Sequence, residues 1–306
     1  FKLQAGSIVV PANTTDVLKY TTKGNEISVV GNEFTIEFNK KEGKLTSYQL
    51  NNENLFTEAP RVNFWRAPVD NDYGAGTQMR FKKWKDAPTS GTVTTAIKQV
   101  SKSDVQLIFT RDIFDGDAQI EISYNVQANG AVKITNQLKA LKGEYSNMFK
   151  FGNSLVLSAD YKNISYYGKG PFEAYSDRQH AAKFGIFEQT VAEQYFPYIR
   201  PQETGNKLDV RWAKITKADG SGIQFLSETP FHFSALNYSE DDLSSGDERT
   251  QKNAGELDAR KQVFVNIDGF QQGLGSITSW GTLPLEEYRL PYQDYSYSYW
   301  IMPIQN

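Results

Sequence analysis

The sequence predicts an all-β protein, a large antiparallel sandwich of two sheets, and three observations support this prediction. Apolar and polar residues alternate along many short segments, as at residues 120–126, where every second residue is apolar. Asn129-Gly130 separates this segment from another alternating one at 132–136, which is typical of a β-hairpin. Helical periodicity is sparse, and aromatic residues, which favour strands, make up 13% of the chain.

The remaining elements follow from the same patterns. Further strands are predicted at residues 34–38, 45–50, 105–110, 155–157, 164–167, 222–226, 231–236, 263–267 and 295–304. Short helical segments are predicted at 79–85 and within 241–259. We interpret residues 1–24 as the end of a preceding β domain or a linker, and residues 25–306 as one sandwich domain. The chain begins with Phe1 rather than Met, so we expect it to be part of a longer protein.

Composition excludes several classes of function. The net charge is −3 and no long basic run occurs, so no nucleic-acid partner is expected. No run of 18 apolar residues occurs, so no membrane-spanning segment is predicted. The chain has no cysteine, which excludes disulfides, thiol catalysis and cysteine-ligated zinc. The two histidines, His180 and His232, lie in unrelated contexts and cannot form a multi-histidine metal site.

The segment at residues 63–74 combines aromatic, basic and acidic residues. It contains Trp65, Arg66, Asp70 and Asp72, so the two acids could bind a cation or orient the arginine. The third oxygen position of a calcium loop falls on Gly74, and that motif therefore fails. We predict no metal here, but a local polar cluster of the arginine and both aspartates that shapes the loop after Gly74.

Residues 168–178 contain a glycine-rich stretch that does not match a phosphate loop. No GxxxxGK[ST] pattern occurs, and Pro171 removes a backbone donor. Glu173, Asp177 and Arg178 are instead predicted to form a structural salt-bridge corner. Sugar hydrolysis needs two carboxylates across a cleft, which the sequence alone cannot pair. The candidates for such a pair are Glu173, Asp177, Glu203, Glu286 and Glu287.

Residues 266–280 predict a strand that ends in a loop with three glycines and Trp280. Glycines let a backbone approach a ligand closely, and an exposed Trp can cover the apolar face of a sugar. A core Trp packed beneath the loop is the competing interpretation, and the residues alone leave both open.

Three of these segments, in this order, resemble the small C-terminal domain of family 2 β-galactosidases. They are residues 64–72, residues 168–178 with the following 195–205, and residues 266–280. The resemblance covers residues 25–306, and residues 1–24 resemble the end of the immunoglobulin-like domain that precedes it in this family.

The resemblance implies a β supersandwich similar to the galactose mutarotase fold. It implies an intact bacterial enzyme that releases terminal β-linked galactose with retention, through two glutamates of an upstream barrel domain. No catalytic residue is then expected in this chain, which alone should be inactive. The family's Mg²⁺ and Na⁺ ligands also lie mainly upstream, so this fragment is expected to hold no cofactor. The resemblance allows a homo-oligomer and does not decide between the cytoplasm and the periplasm.

The resemblance also implies two substrate-binding elements. Trp280 would line the pocket for the leaving group, and Gly74 would begin a mobile loop at the active site. The sequence departs from the enterobacterial pattern before Trp280 and after Gly74, which leaves the leaving-group preference open. Two alternatives are a stand-alone carbohydrate-binding module and a mutarotase-type epimerase, for which His232 is the only candidate acid or base.

Overall fold

The computed structural model describes residues 14–247, 250, 253–275, 278 and 280–305. Within them the strands form two sheets, as predicted. The smaller sheet has five strands in sequential order, β1 to β5: Lys19–Lys23, Glu26–Val30, Phe34–Asn39, Lys44–Leu50 and Glu53–Asn54. The larger sheet has twelve, β6 to β17: Glu58–Asn63, Val93–Ser101, Asp104–Ile113, Ala118–Gln127, Val132–Ala140, Lys150–Ser158, Asn163–Gly170, Lys183–Thr190, Lys207–Thr216, Gly222–Leu236, Gln262–Gln271 and Tyr295–Ile304.

Helices are short and lie between strands. The α-helices α1 to α4 are Asp70–Ala75, Thr77–Arg80, Lys82–Asp86 and Glu240–Leu243. Single 3₁₀ turns lie at Ala87–Thr89, Phe114–Gly116, Ala192–Gln194, Ala254–Glu256 and Glu286–Tyr288. Helices α2 and α3 confirm the helical segment predicted at 79–85. Helix α4 and the turn at Ala254–Glu256 occupy part of the segment 241–259, whose residues 248–249 and 251–252 lie outside the described residues.

The large sheet divides at β15, a strand of 15 residues. The first part of this strand pairs with β17, from Gly222 to Leu226, and its last part pairs with β16, from His232 to Leu236. One branch continues from β17 through β10, β9 and β8 to β7, and another from β16 through β11 to β6. A third continues from the other edge of β15 through β14 and β12 to β13. The sequence predicted two separate strands here. That prediction is wrong because the chain stays extended between the two pairing segments.

The small sheet packs on the β8–β9 region of the large sheet and closes a sandwich. Phe38 of β3 contacts Tyr124 of β9, with ring centroids 5.0 Å apart, and Phe109 of β8 at 6.1 Å. Ile27 and Ile36 of the small sheet belong to the same buried cluster. Alternation along β3 and β9 therefore directs one face of each strand into a shared core, as the sequence predicted.

The N-terminal boundary requires a correction. Strand β1 pairs with β2 from Lys19 with Val30 to Lys23 with Glu26, so the predicted boundary at residues 24–25 falls on the turn of a hairpin. Residues 19–23 therefore extend the small sheet of this domain. Residues 1–13 lie outside the described residues.

Candidate functional site

Arg66 anchors the segment that follows β6. Its guanidinium is fully buried, and Nη1 donates to Asp72 Oδ2 at 2.7 Å and to the Ala67 carbonyl at 3.1 Å. The ring of Phe149 lies 4.5 Å from the guanidinium carbon. Burial by itself would lower the pKa of Arg66, but the charges of Asp72 and Glu203 outweigh it, so this pKa is raised. The arginine is therefore a buried cation that requires its acid partner.

Asp72 also fixes the start of helix α1. Its Oδ2 accepts the Val69 amide at 2.8 Å, which satisfies one of the free donors at the helix N-terminus. Its Oδ1 accepts the Thr77 hydroxyl at 3.1 Å, which connects α1 to α2. One carboxylate thus holds the buried arginine, the entry to α1 and the start of the next helix together.

Asp70 does not join this pair, and the predicted three-residue cluster is wrong in this respect. Its carboxylate forms an ion pair with Arg200, and its amide donates to Gln202 Oε1 at 3.3 Å. The two aspartates lie at the first and third positions of α1, and Asp70 turns to a segment 130 residues away in the sequence. Asp70 therefore connects α1 to the loop at 196–205.

Gly74 and Gly281 bring α1 against the loop that carries Trp280. A Cβ at Gly74 would lie 2.9 Å from Gly281 Cα and 3.2 Å from the Trp280 carbonyl carbon. Gly281 has a φ of 86°, and a Cβ there would lie 2.2 Å from the Gly74 carbonyl carbon. Only glycine at both positions allows this backbone contact. The two elements that the sequence resemblance singled out are therefore neighbours.

Trp280 extends from this contact into solvent. Its side chain is 90% exposed, so the prediction of an exposed ring is confirmed and the interpretation as a core Trp is wrong. Ser276, Ile277 and Ser279 lie outside the described residues. Thr278 and Thr282, on either side of Trp280, lie within hydrogen-bond distance of each other through their hydroxyls, at 2.7 Å.

The predicted salt-bridge corner consists of Glu173 and Arg178 without Asp177. Glu173 forms an ion pair with Arg178. Its Oε2 accepts the Gly205 amide at 2.8 Å and the Thr204 hydroxyl at 3.0 Å, which joins the corner to the loop at 196–205. The carboxylate of Glu173 therefore holds the corner and this loop together.

Asp177 acts on a different segment. Its Oδ1 accepts the Leu274 amide at 3.1 Å and its Oδ2 the Gly275 amide at 2.8 Å. A Cβ at Gly273 would lie 2.5 Å from the same carboxylate. Asp177 therefore fixes the first residues of the loop that leads from β16 to Trp280. These contacts join four parts of the domain: α1, the corner, the loop at 196–205 and the loop from β16 to Trp280. We call these four parts the rim.

Comparison with known proteins identifies the family and the fold of this domain. The family model described as beta galactosidase small chain matches residues 30–301, nearly the whole domain. The chain belongs to this family. Similar proteins include the β-galactosidase of Priestia megaterium, 32% identical over 94% of this chain, and that of Streptococcus thermophilus, 28% identical over 91%.

Each of these β-galactosidases is much longer than the chain. The matched region is 27% of either relative, so the chain spans about a quarter of their length. Among solved structures, a galactose mutarotase related enzyme of Lactobacillus acidophilus superimposes with a TM-score of 0.51, over 92% of this chain and 97% of that one. Its sequence identity is 8%, so this likeness shows the fold alone.

This member of the small-chain family also contains a buried polar group that the sequence did not reveal. The Lys150 ammonium lies 3.2 Å from Glu240 and 3.4 Å from Asp268. Lys150 and Asp268 are almost fully buried, and burial raises the pKa of the Asp268 carboxyl to about 6 despite the nearby ammonium. Lys150 is the first residue of β11, and the sequence cannot show which acids surround it.

His232 lies on β15, opposite Asp268 on β16. Its Nδ1 lies 3.3 Å from Asn206 Nδ2, and burial lowers the pKa of His232 to about 4. The imidazole is therefore neutral at pH 7, and the residue is half-buried. A neutral imidazole can accept a proton but is a poor proton donor, which disfavours an acid role for His232 in an epimerase.

Two further structural findings bear on the classes of site in this domain. Among the described residues, no three or more His, Asp or Glu side chains are grouped so that they could hold a metal ion. In the same part of the chain, no helix is long and apolar enough to cross a membrane.

Proposed function

We propose that this chain is the rim-forming domain of a β-galactosidase that hydrolyses terminal β-D-galactosides with retention. In this proposal an upstream barrel domain supplies the nucleophile and the acid/base carboxylates, and the chain alone is inactive. Membership of the small-chain family and the quarter-length coverage of relatives named β-galactosidase support the proposal. The Mg²⁺ and Na⁺ expected for the intact enzyme would bind upstream.

The observation that carries this proposal is the exposed ring of Trp280 on a loop fixed from two sides. Asp177 holds the start of the loop, and the contact between Gly74 and Gly281 holds its end against α1. A ring that is 90% exposed has no packing role in this domain. In the proposed enzyme it would cover the apolar face of the leaving group or of an acceptor sugar.

The contribution of the Trp280 ring to binding depends on the apolar sugar surface that it covers. Covering about 50–100 Å² of apolar sugar surface contributes roughly 1–2.5 kcal/mol at about 25 cal/mol per Å². Loss of the ring should therefore weaken binding of the leaving group about ten- to a hundredfold. Retention should be unaffected, because the stereochemistry depends on the carboxylates of the barrel.

The experiment compares the parent protein and the 306-residue chain on a chromogenic β-galactoside, with the product anomer followed by NMR. We expect turnover and initial β-galactose from the parent protein alone. Trp280→Ala in the parent should raise KM for lactose and the inhibition constant for glucose. Phe184→Ala, which removes an exposed aromatic ring from edge strand β13, is the matched control. Turnover by the 306-residue chain, or unchanged kinetics of Trp280→Ala, would contradict the proposal.

A further inference from the structure

A cavity of about 400 Å³ lies between strands of the large sheet and helix α4. Its walls come from β6, β11, β15, β16, α4 and the loop that carries Glu203. Small-molecule sites in proteins have volumes of roughly 300–1,000 Å³, so the cavity is large enough for one sugar unit. None of the contacts that fix the Trp280 loop involves its lining residues.

The floor of the cavity is a connected hydrogen-bond network. Asn63 Nδ2 donates to Ser154 Oγ at 2.6 Å and to Glu240 Oε1 at 2.7 Å. Asn266 Oδ1 accepts from Ser154 Oγ at 2.7 Å and from the Lys150 ammonium at 2.9 Å. These bonds fix the orientation of both amides before any ligand arrives. A site with preset donors and acceptors loses little entropy on binding.

Glu203, unlike the two amides, is held by few hydrogen bonds. The hydrogen bonds to its Oε1 are long, 3.4 Å from the Tyr175 hydroxyl and 3.5 Å from Gln271 Nε2. Its Oε2 accepts no hydrogen bond from any residue that the structure describes. Asp72 and Glu173, by contrast, each accept two or more bonds of 3.1 Å or less. A carboxyl group inside a cavity with so few partners has bonding capacity left for a ligand.

Protonation adds to this capacity. Burial raises the pKa of Glu203 to about 7, although the charges of Arg66 and Lys150 oppose the shift. Near neutral pH the carboxyl is therefore present in both forms and can donate as well as accept a hydrogen bond. A ligand hydroxyl, which is itself both donor and acceptor, matches such a group.

The walls select against ions. Acidic side chains in the lining outnumber basic ones, which disfavours an anion: the acids are Glu58, Asp86, Glu203, Glu240 and Asp241, and the bases are Arg61 and Lys85. A metal cation would compete with the ammonium of Lys150, which already lies between Glu240 and Asp268. Apolar surface on the walls comes from Trp65 and from other residues, namely Leu236, Tyr238 and Phe264. Mixed hydrogen-bonding groups beside aromatic and aliphatic surface suit a neutral polyhydroxylated molecule.

We propose that this cavity binds one neutral monosaccharide unit, with the carboxyl group of Glu203 as its main hydrogen-bonding partner. The amides of Asn63 and Asn266, held by their bonds within the floor, fix its shape beneath the sugar. This site belongs to the domain itself and requires neither the barrel nor Trp280.

The test is a titration of the 306-residue chain with galactose and, separately, glucose, followed by NMR. We expect saturable binding with a Kd on the order of 1 mM for at least one sugar. Glu203→Ala should weaken it about ten- to a hundredfold, the effect of losing a hydrogen bond to a charged group. Glu203→Gln, which keeps the shape, should weaken it less and should leave the fold intact by circular dichroism.

Two control variants locate the binding. Glu188→Gln changes an exposed glutamate on β13 and should bind as the wild type does. Trp280→Ala should also bind normally, which separates this proposal from the role of the rim. Hydrogen exchange should show protection of α4 and β16 on addition of the sugar. No saturable binding by the wild type, full binding by a folded Glu203→Ala, or loss of binding in Trp280→Ala would each overturn the proposal.

Discussion

Removing the carboxylate of Asp72 should destabilise the domain far more than removing that of Asp70. The Arg66–Asp72 pair is buried on both sides, with 0% and 4% of the side chains exposed. Asp72→Ala leaves a buried guanidinium without its acid, which costs about 3–5 kcal/mol. The free energy of unfolding should fall by that amount, and the melting temperature by roughly 10 °C.

The matched control is the neighbouring acid two residues earlier. Asp70 is 42% exposed and its partner Arg200 is 22% exposed, so Asp70→Ala should cost about 1 kcal/mol or less. A cluster of Arg66 with both aspartates, as the sequence predicts, would instead make Asp70→Ala lower the thermal stability. Asp72→Asn should fall between the two, because the amide oxygen can still accept the Val69 N–H.

Unfolding of the three variants in guanidinium chloride at pH 7, with calorimetry for the melting temperature, measures these differences. Equal destabilisation by Asp72→Ala and Asp70→Ala would refute the reasoning, since burial of the pair would then have no energetic weight. A loss below about 1 kcal/mol for Asp72→Ala would do the same.

Three further predictions concern the rim and the cavity. Gly281→Ala should force the loop away from Gly74, because the new Cβ would lie 2.2 Å from its carbonyl carbon, and should shift the fluorescence of the neighbouring Trp and lower the melting temperature. Asp177→Ala should free the amides of residues 274–275, which should exchange with deuterium about ten times faster or more. The wild type should lose stability as pH rises from about 4.5 to about 7, and Glu203→Gln should abolish this loss. In that range the folded carboxyl keeps a proton that the unfolded one has released, at a cost of up to about 3 kcal/mol.

Each of these predictions has its own control. Gly116→Ala introduces a Cβ at a similar φ, 87°, with no atom within 4 Å, so its smaller effect isolates the contact with Gly74. Unchanged exchange at residues 274–275 would contradict the role of Asp177. For Glu203, the stability difference between wild type and variant should grow with pH, and a constant difference from pH 4 to 8 would contradict the raised pKa.

Sequence patterns predicted the strands and turns that neighbouring residues determine. The Asn129-Gly130 hairpin is confirmed, because β9 and β10 alternate on both sides of a short turn. Strand β7 was missed because it lies at the edge of its sheet, where six of its nine residues are exposed and none is buried, so few apolar residues mark it. Nothing in the sequence indicates that the chain stays extended from Leu226 to Phe231, between the segments of β15 that pair with β17 and with β16.

The candidate site could be predicted only where the family resemblance pointed to it or where the paired residues are close in the sequence. Arg66 and Asp72 are only six residues apart, so the short segment that enters α1 is enough to bring them together. The partner of Asp70 lies 130 residues away, and that of Asp177 lies 97, so only the assembled sheets bring them together. Glu203 was one of five unpaired candidates, and its few hydrogen bonds became visible only with its neighbours in place.

The position of β17 has a consequence for biosynthesis. This strand, Tyr295–Ile304, lies between β10 and β15, which precede it by more than 50 residues. Until it has left the ribosome, the nascent chain exposes two unpaired strand edges in the middle of its largest sheet. Such edges pair readily with other chains, so chaperone protection is most needed during this interval. A stop codon ahead of residue 295 would make that exposure permanent, and its product should be found in inclusion bodies.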